Sequence, residues 1–170
     1  MIHFTRRSPI VHQISGFFVC VLMAVAGIAS AGDIDALYKA AGDGNAAQVS
    51  GLLDSGVNVN GRTSDGSYAL NRAAVENHVD VARLLLDRGA DPNVQNSQGD
   101  TPLICAVKYA GGKAATVKLL VEAGTDLSIK DDKGKTASDY AKSEGQQEAS
   151  ALLEGSDSKG AGGGAKTTVR

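Results

Sequence analysis

The chain has 170 residues, a formal net charge of −2 at pH 7 and 42% apolar residues. That balance suits one soluble domain of ordinary size and excludes a basic nucleic-acid binder. Aromatic residues are 4% and Trp is absent, so the stacking platforms that hold single strands are missing too.

Met1 to Gln13 carries Arg6 and Arg7 and no acidic residue. An apolar run follows from Ile14 to Ala29, and Ala29-Ser30-Ala31 then offers small residues at signal-peptidase spacing. A positive start, a short apolar stretch and an A-x-A end describe a secretory signal peptide, with cleavage expected after Ala31. The run of 16 residues falls short of the about 20 that a spanning helix needs, and an uncleaved anchor is the alternative. The cleaved chain is expected in the periplasm or outside the cell, without stable membrane insertion. Cleavage removes His3, His12 and Cys20, leaving His78 and Cys105, and one Cys cannot form an intrachain disulfide.

The body repeats itself. Asp65-Gly66-Ser67-Tyr68-Ala69-Leu70 returns as Gln98-Gly99-Asp100-Thr101-Pro102-Leu103, and again as Lys133-Gly134-Lys135-Thr136-Ala137-Ser138. Gly66 to Gly99 is 33 residues and Gly99 to Gly134 is 35. Gly56, Gly89 and Gly124 keep the same two intervals, which places a two-residue insertion near Gly111-Gly112-Lys113. Within a unit, Leu70, Ala73 and Ala74, then Val81, Leu84 and Leu85, recur at helical spacing. Gly56, Gly89 and Gly124 follow the second helix of their units, where a left-handed stop favours Gly. Pro102 suits a helix start.

Thr101-Pro102-Leu103, Leu84-Leu85-Leu86 and Asp87-Arg88-Gly89-Ala90-Asp91-Pro92-Asn93 carry a specific resemblance. The sequence resembles an ankyrin-repeat protein over about residues 33–154. That implies an all-α solenoid of stacked helix–turn–helix units with β-turn or hairpin loops. The units are about 33–60, 61–94, 95–129 and 130–154, within a domain of residues 32–154. Residues 155–170 have no apolar pattern and are expected to be a flexible tail, after a fourth unit whose second helix is degraded. Ala69 and Ala137 replace the family's turn proline, while Asn71, Ile104 and Asp139 replace its histidine. Loss of that histidine is expected to remove a hydrogen bond from the turn.

A catalytic set is not evident. His78 falls at a turn between helices and is expected to serve a helix start or packing, and Cys105 aligns with a buried face. No cofactor or metal site is expected, because Cys, His and carboxylates do not cluster at ligand spacing. Asp131, Asp132 and Glu122 are expected to be solvated charges.

The resemblance implies binding of another protein by a concave face of turn tips and first helices. Its contact positions map onto Asp65, Ser67, Val75 and Glu76 in the second unit. In the third they are Ser97, Gln98, Asp100, Lys108 and Tyr109, and in the fourth Asp132, Lys133, Lys135 and Glu144. Tyr109 is the leading anchor, with packing over Gly111-Gly112 as its other reading. The expected function is an exported adaptor, a capped monomer that binds and stabilises another exported protein. A secreted effector aimed at a host protein is the rival within binding, and an enzyme is the rival from another class.

Overall fold

The intervals of 33 and 35 residues become four successive helix pairs. The computed structural model describes residues 30–160. The pairs are α1 (Ala31–Gly42) with α2 (Ala46–Asp54), α3 (Ala69–Glu76) with α4 (Val79–Asp87), α5 (Pro102–Lys108) with α6 (Ala114–Glu122), and α7 (Ala137–Ser143) with α8 (Gln147–Gly160). No strand forms among the described residues. First helices pack in the series α1, α3, α5, α7, and second helices in the series α2, α4, α6, α8.

Side-chain size explains the two rows. Ala40, Ala73, Ala106 and Ala141 stand one repeat apart, each at most 1% exposed, so the first helices approach closely. Leu85, Leu120 and Leu153 hold one register in the second helices and are buried at 0–1% exposure. Their counterpart Leu52, in a unit with one neighbouring unit among the described residues, is half-buried. The apolar face that one pair cannot cover is thus covered by the next pair. Gly56, Gly89 and Gly124 take φ of +95°, +86° and +81° and turn the chain out of each second helix.

The loops between units form tips closed by two backbone bonds each, one of them from the N–H of Gly66, Gly99 or Gly134 to the carbonyl of Thr63, Asn96 or Asp131. The N–H of Thr63 donates to the carbonyl of Ser67, Asn96 to Asp100 and Asp131 to Lys135, at 2.9–3.1 Å. A side chain at the first position braces each tip: Thr63 Oγ1 accepts the Ser67 N–H at 2.9 Å, Asn96 Oδ1 those of Gln98 and Asp100, and Asp131 Oδ1 those of Lys133 and Lys135. Thr101 and Thr136 then cap α5 and α7 through the N–H groups of Ile104 and Asp139, both at 3.2 Å. Tyr68 holds that place before α3 and makes no side-chain cap.

The departures from the family pattern differ in what they cost. Asn71 Nδ2 donates to the carbonyl of Asp100 in the next unit at 2.9 Å, so the expected loss of a turn bond does not occur there. Asparagine is long enough to reach that carbonyl, whereas Ile104 has no polar atom. Asp139 instead accepts the Thr136 N–H at 2.9 Å in a reciprocal cap. His78 serves packing as expected, its Nε2 lying 3.0 Å from the carbonyl of Gly42 in the preceding unit. Gln146, at the same place in the fourth unit, donates to the carbonyl of Val107 at 3.0 Å.

One expectation, at the C-terminal end of the described residues, changes. α8 is not degraded: it runs 14 residues, to Gly160, so residues 155–160 are helix and not tail. Leu152 and Leu153 anchor its first half against the core, and the remainder extends as helix because neither Pro nor a positive-φ Gly interrupts it. At the other end Ser30 caps α1, accepting the Gly32 N–H at 3.3 Å and donating its own N–H to Asp33 Oδ2 at 2.9 Å. The expected cleavage bond after Ala31 therefore lies in the first turn of α1. The leader on residues 1–29 and the tail on 161–170 lie outside the described residues. In the uncleaved chain Ser30→Ala is expected to lower stability by about 1 kcal/mol, read as a shift of the urea midpoint. An unmoved midpoint would mean that packing alone holds α1.

Candidate protein-binding cleft

The third and fourth tips and the end of α5 enclose a cleft of about 440 Å³, lined by Ser97, Gln98, Lys108, Tyr109, Asp131, Asp132 and Lys133. The two-residue insertion begins one residue beyond Tyr109, after Ala110. Gly111 and Gly112 both take positive φ, of +71° and +63°, a conformation that other residues adopt only with strain. The Gly112 N–H closes the turn onto the carbonyl of Ala106 at 3.0 Å, and nothing lies within 4 Å of a side chain built at Gly111. Tyr109 therefore does not pack over Gly111, and its ring stands 48% exposed at the cleft.

A polar network forms the floor. Lys108 Nζ donates to Asp100 Oδ1 and Oδ2 at 3.0 and 2.9 Å and lies 3.8 Å from Asp131 Oδ2. The Tyr109 hydroxyl donates to Gln98 Oε1 at 2.8 Å, with Asp100 Oδ2 at 3.1 Å. The Tyr140 hydroxyl donates to Asp131 Oδ2 at 2.6 Å. The Lys108 ammonium also lies 5.0 Å from the Tyr109 ring centre and 5.3 Å from that of Tyr140, within cation–π range.

The network sets the charge states of its members. Burial pulls the Lys108 ammonium down, but its bond to Asp100 and that carboxylate's charge outweigh this and hold it above the usual lysine range. Burial likewise pushes Asp131 up. The Tyr140 hydroxyl, the N–H groups of Lys135 and Lys133 and the Lys108 charge prevail, and its carboxyl stays below the usual range. Burial raises the Tyr109 hydroxyl, and the bond to Asp131 raises that of Tyr140.

Six of the expected contact positions meet in this cleft: Ser97, Gln98, Lys108, Tyr109, Asp132 and Lys133. Asp100 does not present a contact, because its side chain is fully buried and bound to Lys108 and Tyr109. Asp131 is no solvated charge either: it is 6% exposed, drawn inward by the donors of its own tip and by Tyr140. The remaining positions lie apart from the cleft. Asp65 is exposed, hydrogen-bonded by the Thr63 hydroxyl, which holds its carboxyl below the usual range. Ser67 is half-buried in the same tip, and Val75 packs half-buried against the core. Glu76 pairs with Arg72 at 3.1 Å, Lys135 lies 5.2 Å from the Tyr140 ring centre, and Glu144 accepts from Gln146 Nε2 at 2.7 Å.

Asp131 and Tyr140 were missed as members of the site. The register held a signal for Asp131, since it occupies the bracing position of Thr63 and Asn96 one repeat earlier each time. A larger hollow of about 510 Å³ lies between α6 and α8, but no tip residue lines it. Cys105 is 1% exposed, and burial pushes its thiol up to about 12, which makes it a core residue and not a nucleophile. Among the described residues no group of three or more His, Cys, Asp or Glu could hold a metal ion, and no helix is long and apolar enough to cross a membrane.

A family model for ankyrin repeats (3 copies) matches residues 17–96 and 89–160. The chain is 33% identical over 118 residues to the inactive serine/threonine-protein kinase TEX14 of Mus musculus, which covers 69% of this chain and 8% of that protein. It is 41% identical over 93 residues to a putative ankyrin repeat-containing protein of Treponema pallidum, 54% of this chain and 30% of that one. A putative ankyrin repeat protein of Rickettsia felis is 31% identical over 85 residues, 46% of this chain and 37% of that one. The chain thus spans well under two thirds of the length of these relatives. Repeat register, helix pairs, bracketed tips and family match agree, and the chain belongs to the ankyrin-repeat family.

Proposed function

We propose that this chain is an exported adaptor that binds another protein through the cleft between its third and fourth tips and stabilises it. Ankyrin repeats are interaction modules, and one observation points to this cleft in particular. Tyr109 is the single exposed large hydrophobic side chain among the described residues, and it stands where six expected contact positions converge. Its hydroxyl is tied to Gln98 and Asp100, so the ring is already oriented and loses little freedom on binding. Such a pre-set aromatic suits a hot spot. Arg6, Arg7, the run from Ile14 and the A-x-A end support export.

The test is an affinity pull-down with the full chain from the extracytoplasmic fraction of the producing cell, beside Tyr109→Ala shown folded by circular dichroism. A partner that binds the parent chain about tenfold or more tightly than the variant supports the adaptor. A partner held equally by both places the contact elsewhere. Export is checked by N-terminal sequencing of the exported protein, which is expected to begin at Gly32; a chain that still begins at Met1 removes the cleaved leader.

A further inference from the structure

The row of second helices makes one contact between its first two units and omits it between the next two. Arg88, at the end of α4, reaches back to α2 of the first unit. Its Nη1 donates to Asp54 Oδ1 at 2.7 Å and its Nη2 to Ser50 Oγ at 3.1 Å. The register carries Arg88 to Ala123 at the end of α6, and carries Asp54 to Asp87 in α4. Ala123 ends at its Cβ and cannot repeat the contact. A groove of about 330 Å³ therefore stays open between α4 and α6, with Asp87 on one wall and Glu122 and Ala123 on the other. The Asp87 carboxylate has no hydrogen-bond or ion-pair partner among the described residues.

The rest of the lining suits the same kind of side chain. Leu86, Pro92 and Leu119 supply apolar surface beside the two carboxylates. Arg83 stands where Ser50 stands one repeat earlier and is the one cation of the lining, so carboxylates outnumber cations two to one. The hollow between α6 and α8 differs, because Lys118 lies 3.8 Å from the Glu122 carboxylate that lines it. Asp87 is thus the acceptor left unmet. We propose that the groove between α4 and α6 receives an arginine side chain of a partner protein, its guanidinium on Asp87 with Glu122 opposite and its stem along Leu86 and Leu119. Arg88 supplies the precedent, meeting the counterpart carboxylate in the same register. Arginine suits the place because its stem covers apolar surface while its planar fork meets carboxylates. The groove shares no residue with the Tyr109 cleft, so this contact goes beyond the adaptor reading and stands apart from it.

The experiment titrates the full chain, labelled with nitrogen-15, with the capped peptide Gly-Leu-Arg-Ala-Gly and its forms with Lys or Gln in place of Arg. Backbone amide shifts of Asp87, Glu122 and Ala123 report binding. The arginine peptide is expected to bind about threefold or more tightly than either other form, a modest gain because the site is open to solvent. Asp87→Asn is expected to remove that preference. Ala123→Arg, which repeats in the third unit what Arg88 does in the second, is expected to abolish the shifts. Arg83→Ser is expected to tighten binding and Tyr109→Ala to leave it unchanged, with all variants folded by circular dichroism. Equal binding of the three peptides, a preference that survives Asp87→Asn, binding that survives Ala123→Arg, or no shift at these amides overturns the inference. Signals there that move in Arg170→Ala would assign the groove to the chain's own C-terminus, and signals that move on dilution would assign it to a second copy. Either result also overturns it.

Discussion

Leu85→Ala is expected to destabilise the folded domain by about 2–5 kcal/mol, measured by urea or thermal unfolding. Leu85 is fully buried in α4, and α4 packs between α2 and α6. The cavity therefore opens among three units, and close packing on both sides leaves little room for collapse. In a stack whose stability is a sum of units and nearest-neighbour interfaces, damage in a middle unit weakens two interfaces at once. Leu52→Ala is the internal comparison. It removes the same atoms one repeat earlier, where the side chain is only half-buried, and is expected to cost distinctly less. Equal losses for the two variants, or no loss at Leu85, would contradict the register on which the fold rests.

Lys108→Met is expected to cost about 3–5 kcal/mol at neutral pH, because it leaves buried carboxylates without their counter-charge. Asp100 is fully buried and Asp131 is 6% exposed, so solvent screens neither well. The pH dependence separates this cause from lost packing. In the parent chain Asp131 is held below its usual range, so its contribution is present above about pH 4 and lost as pH falls through its folded value. Lys108 is held above its usual range, so its contribution is intact below about pH 10 and lost as pH rises through its folded value. In Lys108→Met the share of the alkaline loss that belongs to Lys108 disappears, while that of the raised Tyr109 and Tyr140 hydroxyls remains. Acid narrows the gap to the parent chain, because protonating a buried carboxylate removes an unpaired charge. A gap that stays constant from pH 3 to pH 8 would assign the loss to packing of the lysine stem (on the order of the buried methylenes).

The repeat, its period and the place of the insertion were legible because they rest on local and periodic information. Alanines at one interval and leucines at another specify two helix faces without reference to any distant residue. The glycines after the second helices are likewise local, since each answers to the φ of its own position. Six of the positions that the family resemblance implies line one cleft, because the repeat carries every equivalent position to an equivalent place on the tip or first helix.

The misread side chains have their surroundings set by three-dimensional contacts, some within a unit and some between units. Asp131 beside Asp132 looks like a solvated pair, and Asp100 looks like another tip charge. Folding of each unit brings Lys108 onto Asp100 and Tyr140 onto Asp131, and stacking adds the approach of Lys108 to Asp131 across units. Asn71 is similar: its loss of the histidine pattern is visible, but its bond to the Asp100 carbonyl depends on where the next unit sits.

The sequence by itself determined a stack of helix pairs, its register and the run of positions that face outward at the tips. The tertiary structure decided which of those positions remain free and which are drawn into a buried network, and that α8 continues to Gly160. Periodicity records which face a residue occupies. Its partners and its charge environment follow from distances of a few ångströms within and between units, which periodicity does not contain.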